Sequence, residues 1–298
     1  MRGRLIAGGS AGFYTVEEAF AYCRRLAESH YENFTTVSWV LPREVRRHLY
    51  PIYAFCRGVD DLGDEADGDR IDLLSDWETE LRRCYSGDPQ LPTFVALKET
   101  IARFSIPPEP FLRLIEANRI DQRTTRYESY ADLLHYCEHS ANPVGHLVLY
   151  VFGYPDEHRH TLADATCTAL QLVNFWQDVS IDLQKGRVYI PLEDLAAFNY
   201  SVKELEAGVY NEPFRRLMAF EVQRTRGLFA TGLALINTVK GRLKVALRLF
   251  TLGGLSVLDG IQKIEYDVLH QRPSLSRQTK ARLCIRGLLP VPIRTGRL

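Results

Sequence analysis

Two short stretches of the sequence place acidic and amide side chains at helical spacing. In the first, YAFCRGVDDLGDEADGD at residues 53–69, Asp60 stands four residues before Asp64. In the second, NFWQDVSIDLQKGRVYIP at residues 174–191, Asn174, Asp178 and Asp182 follow one another at intervals of four. Residues four apart lie one turn apart on one face of a helix. Each stretch therefore predicts a row of oxygen ligands.

The chemistry of these rows points to a divalent cation. Like charges four apart on a helix repel one another, and a bound cation reverses that cost. Mg²⁺ prefers carboxylate oxygens and commonly binds through one or two carboxylates plus substrate phosphates. Lys185 and Arg187 bracket Gly186 after the second row, and such cations suit a diphosphate. The alternatives are a solvated acidic helix face and basic residues that complement a helix end.

Composition sets the class of protein. The chain has 298 residues, of which 46% are hydrophobic and 25% charged, as in ordinary soluble globular proteins. The formal net charge is zero and the basic residues are spread out, so nucleic acid is not an expected partner. No apolar signal core and no run of about 18 apolar residues occurs, which predicts a cytoplasmic protein. The six cysteines lack paired spacing and are expected to be small core residues.

Apolar residues recur at intervals of three and four from about residue 15 to residue 286, which predicts an all-α fold. Thr15 with Glu18 and Ser201 with Glu204 fit capping boxes at helix starts. We expect one domain over residues 1–298. The predicted helices cover 15–29, 43–64, 70–86, 91–104, 109–125, 129–152, 156–185, 201–208, 212–239 and 241–270.

Both acidic stretches resemble motifs of the squalene and phytoene synthase family of isoprenoid synthases. The likeness extends from about His30 to Lys280 and includes YAFCRGVDDLGDE, QLVNFWQDVSIDLQKGRVYIP and, between them, DQRTTRYESYADLLHYCEHSANPVG. It implies an all-α isoprenoid synthase fold, with helices around a central apolar cavity that binds Mg²⁺ and prenyl diphosphates. The segment GIQKIEYDVLHQRPSLSRQTK also resembles the closing helix of that family.

The resemblance implies a role for each matched position. Asp60 and Asp64 match one metal site, and Asn174, Asp178 and Asp182 match the other. Tyr53, Arg57, Arg187 and Tyr189 match positions associated with the diphosphates. His30, Phe34, Asp121, Tyr136 and Gln171 match positions that line the cavity, and Phe34, Tyr136 and Phe175 are candidates to stabilise a carbocation. Taken singly, these polar and aromatic residues would be ordinary core, packing or ion-pair residues.

Two departures from the common family pattern bear on the product. SANPVG at residues 140–145 stands where many members have a small Gly-containing segment, and Gln177 stands where many have Arg. Together with YENF and NFWQDV, they resemble the bacterial hopanoid-pathway branch. That likeness implies hydroxysqualene formation from presqualene diphosphate without NADPH, with Asn142 and Gln177 as candidates to orient water. Squalene, presqualene diphosphate and phytoene formation remain alternatives.

Two readings from other classes remain open. HYCEH at residues 135–139 matches the HxxEH pattern of zinc proteases, and an inactive helical scaffold would also fit the composition.

From Arg272 onward the chain has seven basic residues and no acidic residue, interleaved with Leu, Ile and Val. This basic tail predicts peripheral contact with an anionic membrane surface, with a solvated tail as the alternative. The oligomeric state is not predicted.

Overall fold

The computed structural model describes residues 13–29, 40–289 and 291–296, and in those ranges it contains fourteen helices and no strand. The all-α prediction is therefore confirmed for the described chain. His30 and Phe34 lie outside the described residues. The helices are α1 (Val16–Ser29), α2 (Arg43–Asp64), α3 (Arg70–Ser86), α4 (Pro92–Phe104), α5 (Glu109–Asp121), α6 (Tyr130–Ser140), α7 (Asn142–Val151), α8 (Glu157–Gln177), α9 (Val179–Gln184), α10 (Leu192–Ala197), α11 (Val202–Glu206), α12 (Glu212–Thr238), α13 (Gly241–Lys263) and α14 (Arg277–Leu288).

The helices form two compact units. The first contains the described part of residues 1–123 together with 143–160, and the second contains 124–142 together with the described part of 161–298. The first acidic row belongs to the first unit and the second row to the second unit. The expectation of one domain over the whole chain stays a prediction.

An aromatic cluster forms the centre of the first unit. The Phe55 ring centroid lies 5.0 Å from that of Phe111 and 5.9 Å from those of Trp77 and Phe94, and all four side chains are fully buried. Trp77 also packs against Gly58, where an added Cβ would lie 2.4 Å from the indole ring. The approach of α2 to α3 therefore requires glycine at position 58.

The second unit is built around the long helices α12 and α13. Gly254 on α13 faces Phe229 on α12, and a Cβ at position 254 would lie 2.4 Å from Phe229 Cζ. The fully buried Trp176 on α8 donates from Nε1 to Thr225 Oγ1 at 2.8 Å. The indole nitrogen thus has the partner that a buried donor needs. This core fixes α8, on which the second acidic row begins at Asn174.

The helix bounds differ from the predicted ones where local backbone chemistry intervenes. The predicted helix 129–152 is two helices, because Pro143 has no backbone N–H to continue the ladder. The predicted helix 241–270 ends at Lys263, since Glu265 and Tyr266 have positive φ values of 53° and 69°. Helices α10 and α14 were not predicted. The closing segment at residues 260–280 is consequently two helix ends joined by turns, not one helix.

Several smaller expectations can be compared with the structure. Both capping boxes are confirmed: Glu18 N–H donates to Thr15 Oγ1, and Glu204 N–H donates to Ser201 Oγ. All six cysteines are free thiols, of which three are buried and three half-buried.

Within the described ranges, one helix, Gly241–Lys263, is long and apolar enough to span a membrane, but half of its most apolar stretch is buried in protein. A core helix of a soluble protein has the same property.

Candidate metal and diphosphate site

The first acidic row lies in the last two turns of α2. Asp60 and Asp64 both reach solvent, and Asn118 Nδ2 on α5 donates to Asp60 Oδ1 at 3.3 Å. Protein atoms crowd the exposed Asp60 carboxyl group, and this restricted hydration raises its pKa to about 7. Repulsion from Asp64 raises the same pKa, whereas the Asn118 hydrogen bond lowers it. Because these carboxylates also stand at the negative end of the helix dipole, a cation there is favoured.

Helix α5 holds the end of α2 in place through residues that the sequence did not identify. Gln122 Nε2 donates to the carbonyl of Gly63 at 2.9 Å. A Cβ at position 63 would lie 2.2 Å from Asn118 Oδ1, so glycine is needed for Asn118 to reach Asp60. Asn118 and Gln122 are four residues apart, the same spacing that marked the acidic rows. Only the fold shows that this polar pair meets α2.

Tyr53 and Arg57 precede the first row on the same helix. Both are half-buried, and Arg57 Nη2 contacts Asp61 Oδ1 at 2.6 Å and Glu65 Oε1 at 3.3 Å. Burial raises the pKa of the Tyr53 hydroxyl group, with Arg57 opposing that shift. Arg57 thus lies among the acids of α2 and neutralises those that are not in the metal row.

The second row continues across a break in the helix. Helix α8 ends at Gln177 and α9 begins at Val179, so the predicted helix 156–185 is interrupted at Asp178. The backbone bonds nevertheless keep their spacing, because Asp178 N–H donates to the Asn174 carbonyl and Asp182 N–H to the Asp178 carbonyl, both at 2.9 Å. Asn174 is exposed, and the two aspartates are half-buried. The four-residue row therefore survives the interruption.

A basic residue from the segment before α14 contacts this row. Arg272 donates from Nε to Asp178 Oδ1 at 2.5 Å and from Nη2 to Oδ2 at 3.1 Å. Next to it, Gln177 Nε2 donates to the Pro273 carbonyl at 2.5 Å. The buried Asn142 accepts a hydrogen bond from Thr168 Oγ1 at 2.9 Å. The amides of Gln177 and Asn142 thus serve structural contacts, and we assign neither to water.

Aromatic residues cluster beside the second row. Phe175 and Tyr189 stack with ring centroids 3.8 Å apart, and Tyr136 lies 6.1 Å from Tyr189. Val188 N–H donates to the Thr125 carbonyl at 2.8 Å, which brings the strand-like segments around these residues together. The predicted residues that line one small cavity here are Phe175, Asp182, Arg187 and Tyr189. Gly186, with φ 73°, ends α9 as expected and turns the chain toward this cavity.

The remaining predicted residues are placed individually. Asp121 is half-buried and is the last residue of α5, in the first unit. Gln171 is half-buried on α8, one turn before Phe175. The described structure thus groups Tyr53 and Arg57 with Asp60 and Asp64, and it groups Tyr136, Arg187 and Tyr189 with the second row. The roles of His30 and Phe34 stay predictions.

The HxxEH histidines have other partners. His139 Nδ1 contacts the backbone carbonyl of His135 at 2.9 Å, and His135 Nδ1 contacts Glu138 at 3.1 Å. Among the residues that the structure describes, no group of three or more His, Cys, Asp or Glu is placed to hold a metal. A closed zinc site is therefore absent from that part of the chain.

The donor chemistry of the two rows does fit Mg²⁺. Every candidate ligand is an oxygen, from carboxylates and one side-chain amide, as hard divalent cations require. The row on α2 places like charges one turn apart at the wrong end of a helix dipole, a cost that a divalent cation removes. Mg²⁺ keeps several waters and takes substrate phosphates as ligands, so a closed protein cage is unnecessary.

Comparison with known proteins decides the family. The family description "Squalene/phytoene synthase" matches residues 13–279. The chain belongs to the squalene/phytoene synthase family. A phytoene synthase from Arthrospira platensis is 32% identical over 87% of this chain and 88% of its own. Squalene synthase HpnC from Alicyclobacillus acidocaldarius, known from a crystal structure, is 49% identical in sequence to this chain. The structural match covers 84% of this chain and 95% of that chain, with a TM-score of 0.82.

A dehydrosqualene synthase solved with a ligand shares the fold, with a TM-score of 0.84 over 91% of this chain and 96% of that chain at 24% identity. The chain thus has the isoprenoid synthase fold and is an enzyme of the prenyltransferase type. The family acts on prenyl diphosphates and in general depends on divalent metal. The predicted family, fold class and enzyme class are confirmed.

Proposed function

We propose that this enzyme converts presqualene diphosphate to hydroxysqualene in bacterial hopanoid biosynthesis, with Mg²⁺ and without NADPH. The observation that carries the choice of hydroxysqualene is the resemblance of YENF, SANPVG and NFWQDV to the hopanoid-pathway branch. Similarity to squalene synthase HpnC, at 49% identity against 32% for the Arthrospira phytoene synthase, supports a squalene-type enzyme over a phytoene-type one. Gln177, which stands where many family members have Arg, supports the same branch. Phytoene-type coupling is the second candidate, because the curated relatives are phytoene synthases.

We assign Mg²⁺ binding to the two rows, Asp60 with Asp64 and Asn174 with Asp178 and Asp182. Bound Mg²⁺ supplies Lewis acidity that neutralises the departing diphosphate. Asn118 holds the Asp60 carboxylate in position through its hydrogen bond. Arg187 is assigned to the phosphate oxygens, as is Arg57, which also pairs with Asp61 and Glu65. No nucleophilic side chain is required.

The other matched residues hold the substrate. Tyr53 and Tyr189 are assigned to the diphosphate, and His30, Phe34, Asp121, Tyr136 and Gln171 to the prenyl chains. A C30 substrate buries many methylenes at about 0.8 kcal/mol each, so the apolar chains supply ample affinity. Electron-rich faces of Phe34, Tyr136 and Phe175 stabilise the positive charge that develops on carbon.

The proposed reaction is balanced without a reductant. The carbon–oxygen bond to the diphosphate breaks, and its electron pair leaves with the diphosphate. The cyclopropane bond then opens as the cation rearranges. A water lone pair forms the new carbon–oxygen bond, and the proton of that water passes to solvent. Squalene formation would instead require a hydride, which is why independence from NADPH follows from a water quench.

Product analysis of the purified full chain tests the proposal. With Mg²⁺ and presqualene diphosphate we expect hydroxysqualene and diphosphate in equal amounts, whether or not NADPH is present. Asp60→Asn should lower turnover at least about a hundredfold, because a ligand and its charge are lost. The matched variant Asp67→Asn, at an exposed position beyond α2, should keep wild-type turnover. Squalene that strictly requires NADPH, or phytoene from a C20 substrate, would refute the proposal.

We further propose that the enzyme is cytoplasmic and contacts the membrane surface peripherally. Hydroxysqualene is too apolar for free diffusion in water, so product release at a membrane is favoured. The basic residues that follow Arg272, which itself pairs with Asp178, supply attraction to anionic lipids.

A further inference from the structure

Residues of α13 and α14 line a basic cleft, and none of the residues assigned to catalysis is among them. Its volume is about 590 Å³. The cations Lys263, Arg282 and Arg286 line it, together with the hydroxyl groups of Ser256 and Thr279. Lys263 and Arg282 are exposed, and Arg286 is half-buried. The cleft therefore presents three positive charges, while the Thr279 hydroxyl group is hydrogen-bonded to Ser276 Oγ at 2.9 Å.

The one carboxylate among the described residues lining this cleft is already neutralised. Asp259 accepts from Arg226 Nη2 at 2.5 Å, and the Arg226 side chain is almost completely buried. Arg226 also donates from Nη1 to the Thr295 carbonyl at 3.3 Å. Because Asp259 already pairs with the buried Arg226, it does not cancel the charge of Lys263, Arg282 and Arg286. The cleft keeps a surplus of positive charge.

Arg248 adds a buried positive charge beside this cleft. Its guanidinium group donates to the carbonyls of Gly287 at 3.0 Å, Arg286 at 3.3 Å, Leu289 at 2.6 Å and Val291 at 2.7 Å. All of its hydrogen-bond partners in the described chain are carbonyls. Burial lowers the pKa of Arg248, and the like charge of Arg286 lowers it further. An anion in the cleft would relieve this repulsion.

The same contacts hold a set of apolar side chains in solvent. Ile285 and Leu288 on α14 are 63% and 55% exposed, and Leu289 and Val291 just after the helix are 48% and 45% exposed. Arg248 fixes the backbone of this segment, and Gly287 packs so closely on Leu249 that a Cβ would lie 2.4 Å from its Cδ2. The exposed side chains are therefore displayed by a fixed backbone.

Cations and apolar residues occupy neighbouring stripes of α14. Thr279, Arg282 and Arg286 recur at intervals of three and four on the cleft side. At 100° per residue, Ile285 and Leu288 form a stripe roughly 110° further round the helix. Such a helix, with cations on one side and exposed aliphatic residues on the next, is the pattern of an interfacial helix.

We propose that the cleft and the neighbouring apolar stripe of α14, continued by Leu289 and Val291, form a docking surface for an anionic phospholipid bilayer. The cleft takes lipid phosphate groups, and Ile285, Leu288, Leu289 and Val291 enter the acyl boundary. A soluble phosphate compound would account for the cations but not for four aliphatic side chains held in water. This inference deepens the proposed membrane contact and does not depend on which product the enzyme releases.

Vesicle sedimentation of the full chain tests the surface. Wild-type protein should pellet with phosphatidylglycerol-containing vesicles, release at high salt, and stay in solution with pure phosphatidylcholine. Arg282→Gln with Arg286→Gln should weaken partitioning about 30-fold. Ile285→Ser with Leu288→Ser should weaken it about tenfold. Far-UV circular dichroism confirms that each variant is folded.

Two control variants make the result specific. Lys203→Gln with Arg216→Gln removes two exposed cations elsewhere in the second unit, and Ile71→Ser removes a 44% exposed isoleucine from α3. Both should partition like wild type. Equal loss in these controls, or equal binding to both kinds of vesicle, would overturn the surface. Binding of millimolar inorganic diphosphate in the cleft by a wild-type protein that does not sediment with vesicles would also overturn the proposal.

Turnover of presqualene diphosphate in detergent, measured on the same variants, separates the two proposals. Lost partitioning with retained turnover supports the surface and the proposed function together. Vesicle binding by a wild-type protein that does not turn over presqualene diphosphate supports the surface while contradicting the proposed function.

Discussion

At the residue scale, Asn118 is the side chain whose loss should separate metal binding from folding. It contributes a hydrogen bond to Asp60 and is not itself a proposed ligand. We expect Asn118→Ala to weaken Mn²⁺ binding by about tenfold to a hundredfold, the usual cost of losing a residue that orients a ligand. Paramagnetic resonance of free Mn²⁺ measures this directly. Asn237→Ala, at an exposed position on α12, should leave Mn²⁺ affinity unchanged, and equal affinity in Asn118→Ala would contradict the assignment.

A buried ionic cluster in the second unit makes a prediction about pH. Arg224 Nη2 donates to both Glu221 oxygens, at 2.9 and 2.7 Å, and to Asp194 Oδ2 at 2.6 Å, while its guanidinium carbon lies 3.5 Å from the Tyr130 ring centroid. Burial raises the pKa of Glu221 to about 8, Arg224 opposes the shift, and Asp194 adds to it. One arginine thus serves two carboxylates, and folding favours a proton on Glu221.

The sign of the resulting pH dependence follows from this raised pKa. The stability contribution of Glu221 is complete below the unfolded pKa near 4.5 and is lost as pH rises through about 8. In Glu221→Gln the side chain at this position cannot titrate, so only the wild type loses this stability as the pH rises. The difference in free energy of unfolding, variant minus wild type, should therefore increase by about 2 kcal/mol between pH 6 and 8. Urea unfolding at both pH values measures the difference. Glu212→Gln, an exposed ion-pair change on the same helix, should show no such trend, and a parallel trend in both variants would reject the buried proton.

At the element scale, periodicity predicted most helices but not their interruptions. Apolar spacing located α2, α3 and α12 within one or two residues, because their buried faces recur without a break. The break at Asp178 and the turns at Glu265 and Tyr266 depend on local backbone angles that apolar spacing does not encode. Spacing also found both acidic rows. It could not find Asn118 or Arg272, whose partners lie 58 and 94 residues away along the chain.

Alanine substitutions at two helical glycines, Gly58 and Gly227, should change the stability of the protein in opposite directions. Gly58→Ala should destabilise the protein by about 1–3 kcal/mol, because the new Cβ would lie 2.4 Å from the buried, inflexible Trp77 ring. Gly227→Ala should stabilise it by up to about 1 kcal/mol, since that Cβ meets nothing within 4 Å and alanine favours helix. Thermal or urea unfolding compares the two, and equal effects would mean that the close approach of α2 to α3 is not maintained.

At the scale of the whole molecule, we propose that water ends the reaction. The enzyme class follows from family membership, whereas the product depends on what reaches the cation, which fold similarity alone does not determine. Diphosphate is released whichever way the cation is discharged, so the proposed rows of oxygen ligands do not distinguish hydride, proton loss and water. The source of the oxygen atom in the product does distinguish these three outcomes.

The most direct test is turnover of presqualene diphosphate with Mg²⁺ in ¹⁸O-labelled water, with and without NADPH, followed by mass spectrometry of the C30 product. We predict hydroxysqualene that carries one ¹⁸O atom in both reactions, and no product after chelation of the metal until Mg²⁺ is restored. Squalene formed only with NADPH, or a dehydrated hydrocarbon that contains no oxygen, would contradict the account.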